Sequence, residues 1–136
     1  MHITHFSELA IQLLIVVADN PGKCITIREA AQILGVSRNH LMKVTNKLAH
    51  SGLLAPKRGR TGGIYITKTA DHIRMSDVLR ITEPDITSAR LLTFTSATTL
   101  PKADTTTLAL RKALQAFLHT LDDYSIADLC KKSENT

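Results

Sequence analysis

The chain has 136 residues, of which 43% are hydrophobic and 21% charged, with six glycines and four prolines. That length and composition build one folded core and exclude a large two-domain enzyme, wholesale disorder and a collagen-like fibre. Seventeen Lys and Arg against twelve Asp and Glu give a net charge of +5, which excludes a uniformly acidic surface. The longest apolar run, Leu13 to Ala18, falls far short of the roughly 20 residues of a membrane span, so no membrane partner is expected. The first residues carry no basic segment leading into a long apolar one, and a secretory signal is not expected. Cys24 and Cys130 form neither a disulfide framework nor a metal-finger spacing, which points to a reducing, cytoplasmic setting.

The charge is unevenly placed. Residues 1–80 hold eleven basic and five acidic side chains, whereas residues 81–136 hold six and seven. Between Ser37 and Lys68 there are seven basic residues (Arg38, Lys43, Lys47, Lys57, Arg58, Arg60 and Lys68) and no acidic one. Solvated surfaces ordinarily mix both signs, so a stretch of one sign implies a polyanionic partner. Five aromatic residues make a poor stacking platform for single strands. Double-stranded DNA fits better.

In chain order, Phe6, Leu9, Ala10, Leu13, Leu14 and Val17 recur at three- and four-residue steps and predict a helix with one buried face, stopped by Asn20-Pro21-Gly22. Ile25 and Ile27 suggest a short strand. Thr26 with Glu29 three places later is a capping-box pattern for a helix through Ala30, Ala31, Ile33 and Leu34, which Gly35 ends. Ser37 caps the next helix, with Leu41, Val44 and Leu48 inward and Gly52 closing it. Two helices joined by Gly35-Val36-Ser37 predict a helix-turn-helix. Leu53-Leu54-Ala55 and Ile64 to Thr67 read as strands around a turn from Pro56 to Gly63, the wing of a winged helix. Ser76-Asp77 starts a short helix that Glu83-Pro84 ends.

From Asp85 to Thr107 the chain holds eight Thr and two Ser and reads as a loop or weakly ordered segment. Leu108, Leu110, Leu114, Phe117, Leu118 and Leu121 then predict a strongly amphipathic helix, capped by Asp104 or Thr105. Its apolar face is broader than a small winged helix can cover, so burial against a second subunit is expected at Leu110, Leu114, Phe117, Leu118 and Leu121. A last short helix, Ile126 to Cys130, folds back, and Lys131 to Thr136 frays. The fold class is mainly α with a small β-hairpin wing. Its parts are a winged helix-turn-helix over 1–82, a Thr-rich loop over 83–107, and a dimerisation helix with its tail over 108–136.

Recognition helices enter the major groove with their N-terminal residues, here Ser37, Arg38, Asn39, His40 and Lys43. Arg can bridge guanine O6 and N7, and Asn can pair with adenine N6 and N7. Thr26, at the start of the preceding helix, joins them as a DNA-binding candidate. At the wing, Arg58 and Arg60 suit a narrow minor groove, and Gly62 and Gly63 permit close backbone approach and offer amides to phosphate. The bland alternatives are solvated first-turn side chains and glycines that serve only the turn. Six scattered histidines give no metal-ligand set, and no phosphate loop or nucleophile motif occurs. Catalysis is not expected.

These motifs, in this order, resemble the Rrf2 family of bacterial transcription regulators, and within it most closely the nitric-oxide-sensing NsrR type. The resemblance lies in Ala30-Ala31 with Leu34 to Leu41, in Lys57-Arg58-Gly59-Arg60 with Gly62-Gly63, in Ile73 with Asp77-Val78, and in Glu83-Pro84. It resumes at Ala113-Leu114, Phe117-Leu118, Leu121-Asp122, Tyr124 and Ala127-Asp128-Leu129. It implies a homodimeric repressor on a palindromic operator, with the long C-terminal helix crossing between subunits. It also implies, for many members, an iron–sulfur cluster held by three cysteines before that helix. This chain departs there, because residues 85–107 contain no cysteine. Glu8 matches a position where some members offer a carboxylate ligand, but a carboxylate without thiolates holds no such cluster. The expectation is a regulator with no cofactor. Other readings stay open: an atypical cluster pooling the thiols of two subunits, an effector that is a protein or small molecule near the Thr-rich segment, or a winged helix that binds protein instead of DNA.

Overall fold

The computed structural model describes residues 2–87 and 103–133. Helix α1 (His5–Ala18) starts at Thr4, whose hydroxyl accepts from the Ser7 amide at 3.3 Å. Leu9, Leu13 and Leu14 are wholly buried on one face of α1, as the spacing predicts. Around that face pack Ala30 and Ala31 of α2 (Ile27–Leu34) and Leu41, Val44 and Leu48 of α3 (Arg38–His50). Ile73, Val78 and Ile126 belong to the same cluster, as do Ile25, Leu53, Leu54 and Ile64. Each buried Leu or Ile contributes about 1.5–3 kcal/mol of transfer free energy, so α1 is the keystone of the core.

The turn chemistry follows the sequence closely. Thr26 accepts from the Glu29 amide at 3.1 Å while the Glu29 carboxylate accepts from the Thr26 amide at 2.8 Å, a reciprocal cap. Thr26 holds the Glu29 carboxyl below its usual range, its amide contributing most and its side chain next. Gly35 closes α2 at φ +67°, a left-handed geometry that costs a side-chain-bearing residue stability. Ser37 then caps α3 by accepting from the His40 amide at 3.2 Å.

Strands β1 (Leu54–Lys57) and β2 (Gly63–Ile66) pair antiparallel, Leu54 opposite Ile66 and Lys57 opposite Gly63. The strands therefore invade the predicted turn: Pro56 and Lys57 belong to β1 and Gly63 to β2. Pro56 is accommodated because β1 lies at the edge of the two-stranded sheet, where a missing N–H costs no ladder bond. Ile25 and Ile64 exchange backbone bonds of 3.1 and 2.7 Å. Ile27 is the first residue of α2, so the suggested strand shrinks to a single bridge.

Gly63 is where the wing meets that bridge. Its φ is +148°, and a Cβ there would lie 2.5 Å from the Ile25 carbonyl oxygen. Gly63→Ala therefore meets both a strained backbone and a backbone atom that cannot rotate away. We expect a loss of about 2–4 kcal/mol, read as a lower urea midpoint at an unchanged slope.

After a 3-10 turn (Ala70–His72), α4 spans Met75–Thr82 and α5 spans Pro84–Thr87. Helix α4 begins earlier than the Ser76-Asp77 pair predicts. Arg74 is its first boundary residue, with its amide donating to the Asp77 carboxylate at 3.1 Å, while Ser76 is fully buried and bonds the Asp122 carboxylate. Helix α5 falls within the predicted loop, since Pro84 presets a first helical turn and Ile86 buries against Leu79 and Leu118. The remainder of that segment, 88–102, lies outside the described residues.

Helix α6 (Ala103–Asp122) is already helical at Ala103, so Asp104 and Thr105 lie inside it and do not cap it. Helix α7 (Ile126–Ser133) is started by Ser125 and Asp128, whose side chains each accept the other's amide, at 3.1 and 3.0 Å. It carries the chain past Lys131, which the sequence reading places in a fraying tail; residues 134–136 lie outside the described residues. The apolar face of α6 divides in two. Leu118 is buried by Leu79 and Ile86 of its own chain, with Leu114, Phe117 and Leu121 half-buried around them. Residues of α4 and α5 thus cover most of Leu118 within its own chain. Leu108 and Leu110, by contrast, stay 49% and 43% exposed.

Candidate nucleic-acid interface

The solvent side of α3 is set by what its other side buries. Leu41, Val44, Thr45 and Leu48 face inward, which leaves Arg38, Asn39, Met42, Lys43, Asn46 and Lys47 exposed. At 3.6 residues per turn these six fall on one stripe. Arg38, Asn39 and Lys43 thus share one exposed side of α3, and Met42 and Asn46 extend the stripe beyond the sequence reading. The signal was present: Met42 stands four residues after Arg38, and Asn46 three after Lys43. No acidic residue occurs in α3, and none of the ion pairs among the described residues involves Arg38, Lys43 or Lys47. Their charge is left for an external partner.

His40 stands apart from that stripe. It is half-buried, with its ring 5.5 Å from that of His5 at the start of α1. His5 in turn faces Glu8 at 3.4 Å. His40 thus braces the first turn of α3 against α1, and Glu8 is an exposed first-turn acid with a histidine neighbour. Ser37 and Thr26 are exposed but already use their hydroxyls as caps, so each reaches a partner chiefly by fixing where its helix begins.

In the wing, Arg58 and Arg60 are exposed at the tip between β1 and β2. Gly62 donates its amide to the Gly59 carbonyl at 3.1 Å, and a Cβ on Gly62 would collide with the Lys57 carbonyl oxygen. The expected Gly62 amide for phosphate is therefore spent within the turn. Gly62 and Gly63 shape the tip that carries the arginines.

Two features of the scaffold lay beyond the sequence reading. The Glu83 carboxylate, 7% exposed, accepts from the Thr4 amide at 2.8 Å, the Thr4 hydroxyl at 2.7 Å and the Ser7 hydroxyl at 2.6 Å. Burial pushes its pKa up, but the Ser7 and Thr4 donors together outweigh this and hold it below the ordinary value. At the other end of α4, Asp122 accepts from Ser76 and lies 3.6 Å from Arg80, which fastens α6 to the helix-turn-helix core. The Ser76 bond is the main cause that holds Asp122 below its usual range, aided by Arg80 and His119 against a desolvation penalty.

The thiols are separate from both groups. Cys130 packs on α1, its Sγ 3.9 Å from the Ile15 carbonyl oxygen. Burial, then the carboxylate of Asp19, push its pKa up to about 11, so it is protonated at neutral pH. Cys24 stands in the turn before Ile25. Among the described residues no three His, Cys, Asp or Glu side chains are grouped to hold a metal, and no helix is long and apolar enough to cross a membrane.

Residues 3–132 match the family described as "Rrf2: Iron-dependent Transcriptional regulator". Solved structures of the same fold include CymR (YrzC), the global cysteine regulator of B. subtilis, at 20% identity and a TM-score of 0.78, covering 97% of this chain and 98% of that one. IscR of T. potens follows at 19% identity and 0.77, covering 99% and 90%. The oxidised form of Staphylococcus aureus CymR aligns at 22% identity and 0.71, covering 96% of each chain. At such identities the likeness is one of fold.

Proposed function

The chain belongs to the Rrf2 family of transcriptional regulators, DNA-binding proteins and not enzymes, and from that premise we propose that it is a cytoplasmic homodimeric repressor of a palindromic operator. Arg38, Asn39 and Lys43 read the major groove, with Met42 and Asn46 beside them. Arg58 and Arg60 enter the minor groove. Leu108, Leu110 and the half-buried Leu114 and Phe117 of α6 meet the partner subunit. The observation that carries this reading is the acid-free, outward stripe of α3, whose cations have no ion-pair partner among the described residues.

The residues of this chain do not fit an iron–sulfur cluster. Such a cluster takes about four protein ligands, normally thiolates. The chain has two cysteines, none of them between 85 and 107, and Cys130 is packed against α1. DNA binding is accordingly assigned to the polypeptide alone.

Arg58→Ala with Arg60→Ala tests the wing. Both side chains are exposed, so the melting temperature should stay within about 2 °C of wild type, the range of a neutral surface change. Groove contacts are worth roughly 1–3 kcal/mol each, and losing two cations should flatten the slope of log affinity against log salt by about 2. Equal affinity and an equal salt slope in a fluorescence titration would remove the wing from the interface.

A further inference from the structure

Behind the wing, on the side of the α1 C-terminus, lies an open cleft of about 850 Å³. Its apolar lining includes Val17, Ile66 and Ala70, and Tyr65 presents its ring there, 41% exposed. Three of the lining residues are lysines, Lys23, Lys57 and Lys68, and none carries a carboxylate. The C-terminal end of a helix would ordinarily repel an anion, but here the last-turn carbonyls are engaged. Asn20 donates its side-chain amide to Val16 at 2.9 Å, and the amides of Asp19 and Asn20 donate to Ile15 and Val17 at 2.9 and 3.2 Å. The charged side chains that line the cleft are the three lysines.

A largely apolar cleft of this size, lined also by three lysines, has the form of a small-molecule site. We propose that it binds a small organic anion with an apolar body, an aromatic or aliphatic carboxylate or sulfonate. The anionic group pairs with Lys23 and Lys68, and the apolar part lies on Tyr65, Ile66 and Val17. Charge complementarity selects the anion, and the apolar lining selects against a bare phosphate, whether free or in a DNA backbone. The site lies beyond the DNA-reading residues, and its occupancy is measurable with no DNA present.

The probe is 8-anilinonaphthalene-1-sulfonate, an aromatic anion whose fluorescence rises in apolar surroundings, titrated into the full-length protein at low salt. One saturable site per subunit is expected. Lys23→Ala with Lys68→Ala should weaken it about tenfold, the scale of a lost charge-assisted contact, with an unchanged circular dichroism spectrum since both lysines are exposed. Octanoate should displace the probe, whereas inorganic phosphate at the same concentration should not. Absence of saturable binding, equal affinity in the double variant, or displacement by phosphate as effective as by octanoate would each overturn the proposal. The last result would assign the lysines to phosphate contact instead.

Discussion

Replacing Glu83 by alanine is expected to destabilise the protein by about 3 kcal/mol. The carboxylate accepts from the Thr4 amide and hydroxyl and from the Ser7 hydroxyl, and Ser7 is wholly buried. Removing the acceptor leaves donors at the start of α1 without a partner, at about 1–3 kcal/mol each, although Ser7 keeps Thr82 at 2.7 Å. Against a typical total of roughly 5–15 kcal/mol, this should show plainly in urea titration. The same bonds make the contribution dependent on pH. Glu83 has a folded pKa below its ordinary value, so the folded state binds its proton less readily than the unfolded chain. Its contribution is complete above the ordinary carboxylate range and disappears as the pH falls through the lowered folded value. Glu83→Gln should therefore be less stable at neutral pH and lose less further stability on acidification than wild type. Parallel pH profiles would show that the network does not act through the charge.

The second large effect concerns assembly. Leu110 is 43% exposed in the single chain, so Leu110→Asp disturbs little within a subunit and places a charge where the partner helix is proposed to lie. Sedimentation should show a folded monomer. Operator affinity should fall by orders of magnitude, because two half-sites about 34–36 Å apart are then met by separate molecules. Leu118→Asp provides the contrast. Its side chain is buried among Leu79 and Ile86, so it should unfold α6 from its own chain. A Leu110→Asp protein that sediments as a dimer would place the interface elsewhere.

Local chemistry made much of this molecule legible before any coordinates. Ser37 and Thr26 cap their helices because a short hydroxyl residue before an apolar repeat satisfies an orphan amide wherever the helix packs. Gly35 ends α2, and the Gly62-Gly63 pair marks the wing, because a backbone conformation or a neighbouring carbonyl excludes a side chain there. The exposed positions of α3 follow from the same periodicity that sets its buried face. What escaped was long-range. The Thr4–Glu83 bond joins residues 79 positions apart, and Ser76–Asp122 joins residues 46 apart; no window of sequence contains either pair. Glu83 next to Pro84 looks like a helix stop, and its burial is decided only when α1 arrives. The extension of β1 through Pro56 depends likewise on which edge of the sheet is left open. The packing of Leu118 against Leu79 and Ile86 is also invisible in the periodicity of α6 alone.

The central claim is that the first turns of α3 read base sequence without a metal cofactor. Selection from a random pool of duplex DNA by the iron-free full-length protein tests it most directly, run beside Arg38→Ala with Asn39→Ala. Wild type should enrich a single palindromic motif. The double variant should lose that motif, with each lost bidentate contact worth about 1–3 kcal/mol, yet keep the salt-dependent binding that Lys43, Lys47 and the wing provide. Enrichment of the same motif by both proteins, or of no motif by the wild type, would contradict the account.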